Sequence, residues 1–228
     1  MPAYPAPATW FRTLIPSGTF DAVRPYLPGP PPRPTLADAG SRERRGRPGR
    51  SAPQPARGLD RDGWRAFAEG LARVTGRCRD RGYEPTFHPE TGTYVEAPWE
   101  IEEVLDRSDI GLCLETGHMM LGGGDPVAMR RDWGDRVNHV HLKDAVRSVM
   151  AGIVADGAPV TEIWSREAFC ALGRGDLDVD AILEGLRGIS FGGWLVVEQD
   201  ILPRSAERFA QAAAEQRHNR EFLAERGL

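Results

Sequence analysis

Cysteine is scarce and widely spaced in this chain: Cys78, Cys113 and Cys170 are all there is. Three scattered thiols cannot build a disulfide framework, and they fit a reducing cytoplasm in which most are simply buried. Long apolar runs are lacking too. No stretch approaches the roughly 20 residues needed to span a bilayer, and the N-terminus lacks the basic start and apolar segment of a secretory signal. Charge of one sign is not in excess: 29 Lys and Arg stand against 33 Asp and Glu, a formal net charge of −4. That balance gives no broad basic surface for nucleic acid. The expectation is a cytoplasmic protein with neither membrane nor nucleic acid as partner. There is also no Gly-Lys-Ser/Thr phosphate loop and no Gly-x-Gly-x-x-Gly after a strand. The triplet Gly122-Gly123-Gly124 precedes Asp125, an anion that would repel a phosphate at a helix N-terminus. These glycines therefore read as a tight turn near a substrate.

Proline, in contrast, is plentiful but lopsided. Ten of the 19 prolines fall in the first 34 positions, and Pro28, Pro30, Pro31, Pro32 and Pro34 exclude helix or central strand there. Arg42 to Arg50 add a basic run. Residues 1–57 form a poorly patterned N-terminal region, with Trp10 to Ile15 and Thr35 to Ala39 as two short candidate strands. Residues 58–228 form the patterned domain. Trp64, Phe67, Leu71, Val74 and Cys78 recur at helical spacing after Asp60 or Asp62 and stop at Gly82. Further helices are expected from Pro98, with Ile101, Val104 and Leu105 inward, and from Pro126 behind Asp125 to Gly134. One more starts near Asp178 or Asp180, and a last one covers about Ser205 to Arg226. The connection from Ala145 to Asp176 has helical character around Val149 and Trp164 to Phe169.

Between these helices lie four short apolar runs, and each ends in a possible metal ligand. They run to His88, to Glu115, to His141 and to Glu198. Strands alternating with helices argue for βαβ units and a parallel sheet, whose catalytic groups gather at the carboxyl ends of the strands. His88, Glu115, His141 and Glu198 would then share one face, and two imidazoles with two carboxylates suit a divalent cation such as Mn²⁺, Mg²⁺ or Co²⁺.

The run Asn138-His139-Val140-His141-Leu142-Lys143-Asp144 is the most specific. Alternate strand residues share a face, so His139, His141 and Lys143 point together. Burying such groups is costly without partners, which favours a site over core; an ion pair of Lys143 with Glu115 or Asp144 is the competing explanation. Glu198 ends a strongly β-forming run and needs a cation, either a metal or Lys143. His118 is placed in the loop after Glu115, and Glu90 in the loop after His88. His218, beside Arg217 and Arg220, reads as a surface residue.

These segments, together with Gly92-Thr93-Tyr94-Val95-Glu96 and Gly193-Trp194-Leu195-Val196-Val197-Glu198-Gln199-Asp200, resemble the xylose-isomerase-like TIM barrel superfamily, the sugar phosphate isomerase/epimerase group. Within it they are most similar to the inosose dehydratase branch, over about residues 58–226. The resemblance implies a (β/α)₈ barrel of the α/β class, incomplete at the N-terminus with about six of eight strands, and one divalent metal at its carboxyl face. It implies metal ligands Glu115, His141, Glu198 and His88, with His88 where many isomerases carry glutamate. It implies catalytic roles among Glu198, Lys143 and His118, not separable from sequence, and substrate contacts from His88, Glu90, His139 and Asp144. The implied activity is enolisation of a keto-polyol: dehydration as a lyase, or else isomerisation or epimerisation, or else no turnover in a truncated barrel that only binds. Two features depart from the family. Glu115 stands where aspartate is usual, moving the carboxylate by about 1.5 Å when metal distances are tight to about 0.2 Å. The front strands are short or missing, so closure would depend on a partner, a second copy of the chain included.

Overall fold

A computed structural model of the protein describes residues 58–228. The candidate strands at Trp10 to Ile15 and Thr35 to Ala39 lie outside the described residues. The domain opens with α1 (Arg61–Arg79), whose N-cap Asp60 accepts from Gly63 N at 2.8 Å. Its stripe packs through Trp64, Phe67 and Leu71, but Val74 stays exposed. The chain then alternates as expected: β1 (Thr86–Phe87), α2 (Pro98–Arg107) and β2 (Gly111–Glu115). There follow α3 (Thr116–Leu121), α4 (Pro126–Trp133), a 3₁₀ turn and β3 (Val137–Leu142). Pro98 and Pro126 each open their helix, where a missing N–H costs nothing.

The long connection is more structured than its sequence suggested. After β4 (Asp144–Ala145) come α5 (Arg147–Ala155), α6 (Glu162–Ser165) and β5 (Phe169–Cys170). Helix α6 stops at Ser165, so the stretch to Phe169 is not helical, and β4 pairs antiparallel with β5. The chain ends in α7 (Val179–Gly188), β6 (Trp194–Val197) and α8 (Ala206–Ala224). Asp178 caps α7 and Ser205 caps α8.

Four strands, β1-β2-β3-β6, form one parallel sheet. Its two faces differ in chemistry. Leu112, Leu114, Val140 and Leu142 are fully buried beneath the helices. Paired strand residues share a face, so the register Glu115↔His141↔Val196 and Cys113↔His139↔Trp194 places these six on the opposite, inner face. That face is the one a closed barrel would turn inward, and Trp194 and Val196 are exposed on it. Helix α8 is anchored by polar contacts as much as by Leu223. Asn219 Oδ1 accepts from Leu172 N at 2.8 Å, and Gln199 Nε2 donates to Glu215 Oε2 at 2.7 Å. His218 belongs to this anchor: its Nε2 lies 3.0 Å from Leu172 O and the residue is half-buried. It is not the plain surface residue that its arginine neighbours suggested.

Candidate metal and catalytic centre

The carboxyl ends of β1, β2, β3 and β6 bring four ligand-type side chains together. One ligand atom from each of His88, Glu115, His141 and Glu198 lies within 4.8 Å of the others. Glu115 Oε2 is 2.9 Å from His141 Nδ1 and 3.3 Å from His88 Nε2. Glu198 Oε2 is 2.7 Å from the same His141 nitrogen. Glutamate in place of aspartate therefore still reaches both imidazoles. Beneath this group lies Lys143, whose side chain is 1% exposed. Its Nζ stands 3.3 Å from Glu198 Oε2, 3.7 Å from Glu115 Oε1 and 3.4 Å from Asp200 Oδ2, and 4.9 Å from the Phe169 ring centroid.

Local backbone devices fix these positions. Thr116 Oγ1 donates to Lys143 O at 2.7 Å and accepts from Lys143 N at 2.9 Å, joining the start of α3 to the end of β3. Gly117 has no side chain because a Cβ there would sit 2.7 Å from Lys143 Cγ. Glu198 N donates to Leu142 O at 3.2 Å, so the extended alternation of β6 continues past Val197.

The structure moves two expected residues. His118 is not in a loop but inside α3, and it is 2% exposed. Its Nδ1 accepts from Thr91 N at 3.2 Å, and since a backbone N–H can only donate, the ring proton belongs to Nε2. That nitrogen faces Asp200 Oδ2 at 3.5 Å. Asp144 is a correction to the expected substrate contact. Its fully buried carboxylate accepts four backbone N–H groups, from Ala145, Gly173, Gly175 and Leu177, at 2.8 to 3.0 Å. It organises the segment leading into α7 and has no oxygen left for a ligand. Glu90 is half-buried in the turn after β1, where its N–H bonds Val95 O. His139 is half-buried with its ring 5.1 Å from that of His141.

Asp200 was not among the expected site residues, yet it touches both Lys143 and His118. Its signal was present: it stands two residues past Glu198, on the same side of an extended segment. Thr91 and Phe169 carry no comparable signal, because only the tertiary fold brings them to His118 and Lys143.

The electrostatics are those of a tightly paired group. Burial pushes the Glu115 carboxyl up, but hydrogen bonds from His141 and His88 and the charge of Lys143 outweigh it and hold it well below the usual range. Hydrogen bonds to Glu115 and Glu198 raise His141 to about 9. Glu198 is lowered by His141 and Lys143. Asp200, though burial pushes it up, is lowered by His118 and Lys143. His139 moves the other way, lowered by burial and by the neighbouring His141 and His88. Glu115 Oε1 is buried without a hydrogen-bond partner among the described residues. An orphaned, sealed oxygen on a carboxylate whose other oxygen meets two imidazoles is what a cation would satisfy, so the donor set fits a divalent metal.

Comparison with known proteins places the chain in a family. Inosose dehydratase of Geobacillus kaustophilus is 30% identical over 152 residues, which are 65% of this chain and 49% of that protein. Inosose dehydratase of Clostridium perfringens is 27% identical over 166 residues, 72% of this chain and 56% of that one. The chain thus spans about half the length of the curated relatives it matches. Among solved structures, the IOLI protein with a bound zinc atom superposes with a TM-score of 0.52 at 17% identity, over 77% of this chain and 59% of that one. L-ribulose 3-epimerase superposes at 0.51 with 19% identity, over 78% and 57%. At such identities these two show the fold alone. The family described as xylose isomerase-like TIM barrel matches residues 40–226, and the chain belongs to that family.

Proposed function

We propose that this protein is a metal-dependent lyase that dehydrates a keto-polyol, most closely a keto-inositol. The observation that carries the reading is the convergence of His88, Glu115, His141 and Glu198 on one centre with Lys143 directly behind it. The similarity to inosose dehydratases over 65% and 72% of the chain supports the substrate class.

His88, Glu115, His141 and Glu198 would hold the cation, for which Mn²⁺, Co²⁺ and Mg²⁺ are the candidates. When bound, a divalent cation supplies polarisation of the substrate ketone and neutralises charge on its oxygen. The chain's own groups divide the proton work by exposure. Glu115 is sealed, with no side-chain surface exposed, whereas Glu198 is 37% exposed and faces the open side. Glu198 is therefore the carboxylate that takes the proton from the carbon next to the ketone. Lys143, sealed like Glu115, holds its protons between three carboxylates and passes one by way of the partly exposed Asp200 to the β-hydroxyl as it leaves as water. His118 cannot take a proton at Nδ1 without losing its bond from Thr91, so its part is to orient Asp200, and through it Lys143. His139, with Glu90 and His88 at the rim, would bind substrate hydroxyls.

The test is incubation of the metal-loaded protein with a keto-inositol, followed in the ultraviolet for the conjugated product of water loss. A product formed without water loss would reassign the protein to isomerisation or epimerisation. Failure to bind Mn²⁺, Co²⁺ or Mg²⁺ under any condition would leave only a binding role.

A further inference from the structure

One side chain on the inner face plays no part in the proposed chemistry. Cys113 lies on β2 two residues before Glu115, on the same side, and is fully buried. Its Sγ falls within 4.8 Å of ligand nitrogens of both His88 and His141, and those two nitrogens lie within the same distance of each other. The same two imidazoles therefore serve two groups of possible ligands. Toward the carboxyl ends they meet Glu115 and Glu198; one residue pair deeper they meet a sulfur. Ligand chemistry separates the two positions. Oxygen-rich sets suit Mg²⁺ and Mn²⁺, while sulfur with imidazole suits Zn²⁺.

The geometry points to a second coordination position, made by Cys113, His88 and His141, that takes a thiophilic divalent cation such as Zn²⁺. On binding, the thiol proton passes to solvent and the sulfur bonds to the cation as thiolate. Bonds of about 2.0–2.1 Å to nitrogen and about 2.3 Å to sulfur place tetrahedral ligand atoms nearer to one another than the observed limit, and side-chain rotation of the half-buried His88 and His141 closes that gap. Because both imidazoles are shared, occupation of the sulfur position and of the four-residue position is mutually exclusive. Zn²⁺ would then displace Mg²⁺ or Mn²⁺ rather than bind beside it. This inference does not need the dehydration reading.

Co²⁺ is the probe, because sulfur-to-cobalt charge transfer gives a near-ultraviolet band that nitrogen and oxygen ligands do not. The full chain carrying Cys78→Ser and Cys170→Ser, with Cys113 as its one thiol, is titrated with Co²⁺. The expected result is a near-ultraviolet band that saturates at one equivalent, is lost in the additional variant Cys113→Ser, and persists in Glu198→Gln. Visible cobalt bands without the near-ultraviolet band would overturn the sulfur position while leaving the four-residue centre standing. A near-ultraviolet band that survives Cys113→Ser, or no cobalt binding at all, would overturn it as well. Should Cys113→Ser fail to fold, zinc-edge X-ray absorption on the parent protein decides: a sulfur neighbour at about 2.3 Å supports the position, and nitrogen and oxygen neighbours alone refute it.

Discussion

His141 illustrates how much depends on single residues at this centre. Its Nδ1 is shared between Glu115 and Glu198, at 2.9 and 2.7 Å. Replacing it with alanine removes one ligand and the group that positions two others. The His141→Ala variant should bind Mn²⁺ or Co²⁺ at least about 100-fold more weakly, which equilibrium dialysis would measure. Lys143 makes the opposite case. It is no ligand, so Lys143→Met should keep stoichiometric metal while kcat falls by about 10² to 10⁴; retained kcat would remove Lys143 from the proton work. Gly117→Ala acts on that same lysine from a distance. The new Cβ would press on Lys143 Cγ and Cδ at 2.7 and 2.8 Å, and the shift of about 1 Å that relieves the contact costs about 10²-fold in rate with metal content unchanged.

At the level of elements, β3 carries most of the design. Val140 and Leu142 pack under the helices while His139, His141 and Lys143 alternate on the other side, and this division was readable from the sequence. The segment that follows was not. Asp144 read as a substrate contact, yet it collects four backbone N–H groups from residues as far away as Leu177. Those partners are 29 to 33 residues on for three of the four, too distant for any local pattern to signal. Asp144→Ala would leave buried donors unpaired and should lower stability by about 3 kcal/mol, seen as a lower urea midpoint with little change in slope. Helix α3 escaped for a different reason. Six residues rich in Gly, His and Met give no helical periodicity, and the helix stands because it is wholly buried.

For the whole molecule, the paired charges set a pH profile. The folded value of His141 is raised from 6.5 to about 9, so its contribution to the metal-free fold is complete below pH 6.5 and is lost as pH rises through about 9. Glu115, Glu198 and Asp200 are depressed, so theirs is present above the ordinary carboxylate values of 4.5, 4.5 and 3.8 and is lost as pH falls below them. Metal-free protein should therefore be most stable between about pH 5 and 8, with declines on both sides, as denaturant melts across a pH series would show. A flat profile above pH 7 would mean that His141 is not held by its two carboxylates. Among the described residues no helix is long and apolar enough to cross a membrane. The four parallel strands leave Trp194 and Val196 exposed on the inner face.

The sequence by itself determined the alternation of strands and helices, the cap at Asp125, the helix starts near Asp60 or Asp62, Asp178 or Asp180 and Ser205, and which four strand ends carry ligand-type residues. These follow from local rules: side-chain period, N–H satisfaction at helix starts, and proline at first turns. Tertiary structure alone decided which polar groups meet. It brought Asp200 to Lys143 and Thr91 to His118, turned Asp144 away from the centre, and set Cys113 against the two shared imidazoles. The physical reason is that a buried charge takes whatever partner lies within about 4 Å, and proximity between distant segments is a property of sheet register, which no stretch of sequence contains alone.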